Sequence, residues 1–320
     1  MKNFVKINKE KYKEFLDKAL FKTFFHSPEW HEFLEKEFKW LNFEYYLWRS
    51  ELLFAFVRVD NKLISLPFCE YGGPLPLEAK SNFEDFNKDV LQEFKNIKIK
   101  FHPLVLAGNG NSDVLTHFID DLDKKNEKEL RNSFRKTLRH SIRHAQENGL
   151  EIKKCSDLEQ LRKFYNLYVS TLKRKLTVPY PFAIIEHLFK QKETEILLVF
   201  YKNKIIGGDL FLHYSGIIHY FLSVSDYKHR NLGASYLVLW EKIKKSLQRD
   251  YKIFDFGASP KGSSLEIFKR GWGGKEYPIL QIGIKRSEEN LRSSELRKIW
   301  GILPNFLVKK FSPSLIKYRI

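Results

Sequence analysis

Cysteine is nearly absent: the 320 residues contain only Cys69 and Cys155, each alone in its neighbourhood. That excludes a disulfide framework and a cysteine-built zinc site, and it suits a reducing compartment. Long apolar runs are missing too. The nearest is Ile205–Val224, but Asp209, His213 and His219 interrupt it and Tyr214-Ser215-Gly216 reads as a hairpin turn. Nothing reaches the roughly 20 apolar residues of a membrane span. The opening MKNFVKINKEKYKEF lacks the apolar core of a signal peptide, so a cytoplasmic protein is expected. None of the ten histidines stands in HExxH or comparable ligand spacing, and there is neither a Gly-x-Ser-x-Gly elbow nor a Walker loop. No metal site and no tightly bound cofactor are expected.

Acidic residues are also outnumbered, 39 against 56 Lys and Arg, for a formal charge of +17 that should gather anionic partners in a salt-sensitive way. With 43% hydrophobic residues the chain is globular, and at this length it accommodates two domains. Its 28 phenylalanines fall mostly in apolar periodic segments and are expected in the core.

The densest chemistry lies in Tyr251–Pro278. A short strand through Ile253, Phe254 and Phe256 carries Asp255 and stops at Gly257. Ser259, Lys261, Ser263, Ser264, Lys269 and Arg270 follow, broken by glycines. Hydroxyls, cations and close backbone are the parts of an anion pocket; a solvated surface loop is the alternative. Just upstream, a strand ending near Asp226 leads through Arg230, Gly233, Ala234 and Ser235 into a helix with Leu237, Trp240 and Ile243. The free N–H groups of that first turn face any anion Arg230 attracts. A third basic feature is the four-residue recurrence of Arg131, Arg135, Arg139 and Arg143 beside Leu130, Phe134, Leu138 and Ile142, with His140 and His144 close by. It predicts a single amphipathic helix whose arginines form either a solvated face or a rail for phosphates, of tRNA or of a nucleotide- or lipid-linked substrate.

Arg230-Asn231-Leu232-Gly233-Ala234 at a helix start resembles the Arg/Gln-x-x-Gly-x-Gly/Ala loop with which GNAT acyltransferases hold the pyrophosphate of acyl-CoA. The longer pattern is similar to the Fem-type branch of that superfamily. It runs through FHSPEW at 25–30, LPF at 66–68 with YGGP at 71–74, RHSIRHAQENG at 139–149, DFG at 255–257 and FKRGWGG at 268–274. The resemblance implies an α/β (α+β) fold of tandem GNAT-like domains, each a mixed, mainly antiparallel sheet flanked by helices.

The periodicities agree with two halves of similar order. Helices are expected at Lys9–Leu20, Pro28–Phe38 and Phe83–Phe94, and strands at Tyr45–Arg49, Leu52–Asp60, Lys62–Phe68 and Ile97–Phe101. After the arginine helix come a strand at Leu150–Cys155, helices at Leu158–Leu172 and Phe182–Gln191, and strands at Glu195–Tyr201, Lys204–Tyr214 and Ile217–Ser225. Composition shifts place an N-terminal domain at 1–120, a second domain at 121–285 and a basic, apolar tail at 286–320. With Pro304 and Pro313 between short apolar clusters, the tail suits a clamp packed on the main body, and alternatively a segment lying on anionic lipid at the inner membrane face.

The resemblance implies an N-acyltransferase working on an amine acceptor, an amino sugar or cell-envelope glycan or peptidoglycan precursor. The expected donor is acyl-CoA on Arg230, Gly233, Ala234 and Ser235, since no long charged arm interrupts Cys155–Glu195 as in many Fem-type tRNA users. Aminoacyl-tRNA is the alternative donor, and a non-catalytic polyanion- or membrane-binding protein is the alternative class. Candidate catalytic residues are Asp255, Lys269 and Tyr71. Ser259, Lys261, Arg270, Trp272, Arg139, Arg143, His26 and Trp30 are candidates for substrate binding.

Overall fold

The computed structural model describes residues 3–106, 111–284 and 300–319. The first sheet holds β1 (Phe4–Ile7), β2 (Phe43–Trp48), β3 (Leu52–Val59), β4 (Lys62–Ser65), β5 (Leu75–Pro76) and β6 (Ile97–Lys100). The second is built from β7 (Val114–Ile119), β8 (Glu151–Lys154), β9 (Thr194–Tyr201), β10 (Lys204–Tyr214), β11 (Ile217–Ser225), β12 (Ile253–Asp255), β13 (Ser259–Pro260) and β14 (Lys275–Pro278). The chain then returns to the first sheet as β15 (Gln281–Gly283), antiparallel to β6. Helices α1 (Lys9–Lys18), α2 (Pro28–Glu37), α3 (Phe83–Glu93), α4 (Glu127–Ser133), α5 (Lys136–Glu147), α6 (Leu158–Arg174), α7 (Phe182–Phe189), α8 (Ala234–Ser246), α9 (Ser264–Arg270) and α10 (Asn305–Leu315) cover the sheets.

One pattern occurs twice. β2, β3 and β4 form an antiparallel meander, α3 crosses over, and β6 lies parallel to β4. β9, β10 and β11 repeat the meander, α8 crosses over, and β12 lies parallel to β11. The fold is therefore mixed α/β with two mixed, mainly antiparallel sheets. Strand β7 precedes residue 120 yet belongs to the second sheet, because Phe118 and Ile119 pair with β12 and Leu115–Phe118 with β14. The first sheet thus extends beyond residues 1–120 to include Gln281–Gly283, and the second begins at Val114.

The arginine pattern is divided. Phe134 and Arg135 have extended ψ of 144° and 141°, so α4 ends and α5 begins there. Arg135, exposed, is tied to the end of α9, its N–H on the Gly271 carbonyl at 3.0 Å and its guanidinium on that of Ile267 at 3.3 Å. Both halves share the largest apolar core, from Tyr12, Phe25 and Trp30 to Phe164, Leu198, Leu210 and Val224. Of the tail, 286–299 and Ile320 lie outside the described residues. From residue 300 on it packs on α6: Trp300 and Val308 are buried, Asn305 Nδ2 donates to Ser170 Oγ at 2.8 Å, and Ser312 Oγ donates to the Pro179 carbonyl at 2.9 Å. Among the described residues no helix is long and apolar enough to cross a membrane.

Candidate functional site

Strand β12 is only three residues long, yet it holds Asp255 fully buried. Its Oδ1 accepts from Thr116 Oγ1 on β7 and from the Gly257 N–H, both at 2.8 Å. Its Oδ2 lies 2.6 Å from His219 Nδ1 on β11 and accepts the Tyr71 hydroxyl proton. His219 and Asp255 are cross-strand partners in the last paired position of β11 and β12.

Glu70 and Tyr71 arrive from the other half, on the loop after β4. That loop is held in unusual backbone: Leu66 and Phe68 have φ of 37° and 62°, sparsely populated for side-chain-bearing residues. Gly72 and Gly73 are required by close approach, since a Cβ would stand 2.5 Å from Leu66 Cβ and 2.9 Å from the Lys100 carbonyl. His26 secures the turn, with Nε2 on the Gly73 carbonyl at 3.1 Å and Nδ1 on Thr23 Oγ1 at 2.8 Å. Tyr71 is thereby buried with its hydroxyl 3.0 Å from His219 Nδ1, and Glu70 Oε2 comes within 3.1 Å of His219 Nε2. Gly257, at φ 71°, abuts the Glu70 carboxylate so closely that a Cβ would sit 2.5 Å from Oε2. Lys269, at the end of α9, is buried and donates to the Gly257 and Ala258 carbonyls, each at 2.8 Å.

The two carboxylates beside His219 are driven apart. Burial, aided by the charge of Glu70, raises Asp255 well above the usual carboxylate range, against the Gly257 N–H and Lys269. Burial also pushes Glu70 upward, but His219, the Lys269 charge and the Ala258 N–H outweigh it and hold Glu70 below its ordinary value. Desolvation lowers Lys269, opposed by both carboxylates. Glu70 is the member with solvent access, its side chain 24% exposed while those of His219 and Asp255 are fully buried. An ionised, reachable carboxylate backed by a buried acid–imidazole pair can accept a proton.

Beyond this cluster the sheet opens. β11 stays paired with β10 to Ser225, but its pairing with β12 ends at His219. A β-bulge marks the fork: Leu210 pairs with Leu222 and Phe211 with Tyr220, so Phe221 is the extra residue. Phe221, Leu222 and Ser223 are consequently only half-buried. At the open end the chain turns into α8. Gly233, at φ 77°, lets that helix start lie on α5, where a Cβ would stand 2.8 Å from Ala145 Cβ. No hydrogen bond among the described residues uses the N–H groups of Ala234 and Ser235. Arg230 is exposed beside them, stacked 4.2 Å over the Tyr227 ring, whose ring also lies 4.7 Å from the Arg174 guanidinium.

The structure thus brings Tyr71, Asp255 and Lys269 together, and sets Arg230, Gly233, Ala234 and Ser235 at the turn from β11 into α8. Other candidates stand elsewhere. Trp272 is fully buried in the second core against Phe134 and Phe256, which corrects its assignment to substrate. Ser259 is likewise buried, pairing β13 with Leu115. Trp30 packs in the shared core with Phe24 and Phe25. His26 supports the Tyr71 loop from within. Lys261 and Arg270 are exposed, the latter beside Glu266. Arg139 reaches the Asn132 carbonyl at 3.5 Å, and Arg143 is exposed on α5. Sequence reasoning missed Glu70 and His219. The one available signal was a histidine inside an apolar strand, which needs a partner when buried.

Residues 132–270 match the acetyltransferase (GNAT) domain family, and 75–178 match the FemAB family. No curated protein matches the sequence. Among solved structures the chain is similar to FemX, at 15% identity and a TM-score of 0.59 over 86% of this chain and 95% of that one. It is similar also to L-PGS from Bacillus licheniformis, at 17% identity and a TM-score of 0.56 over 95% and 98%. A tandem GNAT protein from the clavulanic acid biosynthesis pathway aligns at 9% identity and a TM-score of 0.50 over 88% and 99%.

Proposed function

Because this chain belongs to the Fem-type branch of the GNAT superfamily and is a transferase, we propose that it moves an acyl group from acyl-CoA to an amine acceptor. The observation that carries the reading is the position of Glu70, a partly exposed carboxylate whose Oε2 lies 3.1 Å from His219 Nε2 at the point where β11 and β12 part. The donor would lie in that gap with its pyrophosphate on the Ala234 and Ser235 N–H groups and Arg230. The amine nitrogen bonds to the thioester carbonyl carbon while the carbon–sulfur bond breaks, the nitrogen's proton passes to Glu70, and the CoA thiolate departs. As that nitrogen bonds to carbon it becomes acidic, so a carboxylate of low basicity suffices. Asp255 and Tyr71 orient His219, and Lys269 fixes the Gly257–Ala258 loop against Glu70. We assign the acceptor to amino sugars or peptidoglycan precursors, as the Fem-type relationship suggests.

A second donor has its own supporting observation. The exposed side of α5 carries Lys136, His140, Arg143 and His144, and His144 Nε2 lies 3.2 Å from the Asn231 carbonyl in the turn before α8. A basic face beside the mouth of the gap suits the phosphates of an aminoacyl-tRNA. Mass spectrometry of amino-sugar and peptidoglycan-precursor acceptors, incubated separately with acetyl-CoA and with charged tRNA, tests both. Acylated product with acetyl-CoA, lost in Glu70→Gln, is the expected result. Product with charged tRNA alone would replace the donor, and no product with either would overturn the reading.

A further inference from the structure

On the far side of β7 from Asp255, three side chains from distant segments meet. His117 and Glu276 are cross-strand partners on β7 and β14, and Glu266 stands in the first turn of α9, whose Ser263 cap accepts the Glu266 N–H at 3.2 Å. His117 Nε2 is 3.5 Å from Glu266 Oε1 and 4.0 Å from Glu276 Oε2, and one ligand atom from each residue falls within a 4.8 Å span. His117 is fully buried and Glu266 is 3% exposed, yet neither ring nitrogen of His117 nor Glu266 Oε1 has a hydrogen-bond partner. Buried polar atoms left so cost stability unless something else occupies them. The neighbouring cation is Arg270, whose Nε stays 3.6 Å from Glu266 Oε1 on a side chain 58% exposed.

We propose that His117, Glu266 and Glu276 bind a divalent transition-metal ion, Zn²⁺ foremost. Bonds of about 2.0–2.2 Å in a tetrahedral site place ligand atoms about 3.3–3.6 Å apart. The His117–Glu266 spacing of 3.5 Å already fits, and the full span of up to 4.8 Å must close through a rotamer change of the exposed Glu276. One imidazole and two carboxylates neutralise the ion, and the fourth position opens to solvent on the Glu276 side. No spacing in the sequence signals the site, because its ligands come from a strand, a helix and a second strand. The ion would tie α9 to β7 and β14. Lys269 lies one turn beyond Glu266 and holds the Gly257–Ala258 loop; Thr116, next to His117, donates to Asp255. The metal therefore acts as a positioning element behind the cluster.

The test uses the full chain stripped with a chelator, titrated with Zn²⁺ by calorimetry and with Co²⁺ by visible absorption, and melted with and without Zn²⁺. One equivalent should bind, Co²⁺ should develop the intense bands of a four-coordinate site, and Zn²⁺ should raise the melting temperature. Glu276→Gln, at a half-exposed position that folding tolerates, should weaken binding at least ~10-fold and remove the thermal shift; Glu266→Gln should do the same. Absence of stoichiometric binding to the wild-type chain, or wild-type affinity retained in both variants, would overturn the assignment.

Discussion

Glu70 and Asp255 flank one imidazole and are pushed in opposite directions, which separates their expected effects. Glu70→Gln should lower turnover by about 10²–10⁴-fold with donor affinity unchanged, read from single-turnover rates and donor titration. Buried histidines shape stability instead. His31 donates from Nε2 to the Phe25 carbonyl and meets Tyr45 at Nδ1, and burial lowers it to about 3; His26 is lowered to about 4, again chiefly by burial. Between pH ~4 and ~6.5 the unfolded chain binds more protons than the folded one, so stability is fully present above about 6.5 and lost as pH falls through that window. Melting temperature measured from pH 7 to 4.5 should decline accordingly. Asp209 has the opposite sign. Its carboxyl oxygens lack well-formed hydrogen bonds, and burial, partly offset by Ser223 and Tyr220, raises it to about 8. Its cost to the fold grows from the unfolded value near 4 up to about 8. Asp209→Asn should therefore stabilise the protein more at pH 8 than at pH 5, by up to about 1.4 kcal/mol per unit. A gain that does not grow with pH would contradict this.

Asp255 and Tyr71 were singled out because each stands beside glycines that announce a shaped backbone, and Lys269 because its surroundings resemble the Fem-type pattern; the structure places the three in one cluster. Glu70 and His219 were not: Tyr71 and His219 meet across a separation of 148 residues, and one sequence carries no sign of which strand faces which loop. Trp272 misled for a related reason, since a tryptophan among glycines and cations reads equally as a binding platform or as core.

Among elements, the meanders were the clearest. Lys204–Tyr214 and Ile217–Ser225 match the expected bounds, because long β-branched and aromatic runs around a tight turn suffice to define them. Strands of two to four residues, β13, β14 and β15, were invisible, as they exist only through their partners. So was β7, whose Thr116 and His117 break the apolar run. The arginine helix was seen as continuous because its periodicity carries across Phe134 and Arg135, whereas the kink is set by Gly271 on another element. At the start of α8, Gly233→Ala combines a left-handed backbone with a contact on Ala145. It should cost about 1–3 kcal/mol by denaturant unfolding, and weaken donor binding through the displaced helix start.

For the whole molecule, the shared core makes the two halves and the C-terminal segment interdependent. Trp300 is buried in that core and its Nε1–H donates to the Thr177 carbonyl at 3.4 Å. Trp300→Ala should thus cost about 3–5 kcal/mol in one cooperative transition; an unaltered melt would argue that the segment is merely laid on the surface. The repeated order of elements was legible, and the division of the chain between the sheets was not, since β15 closes back on the first sheet long after the chain has left it. The charge of +17 favours accumulation of anions at the surface without choosing among them.

The most direct test of the account is calorimetric titration of acetyl-CoA into the wild-type chain, Arg230→Ala and Glu70→Gln at two salt concentrations. Saturable binding to wild type and Glu70→Gln, abolished in Arg230→Ala and weakened by salt, is the predicted result. Absence of binding to the wild-type chain, or binding indifferent to Arg230, would contradict the placement of the donor between β11 and β12.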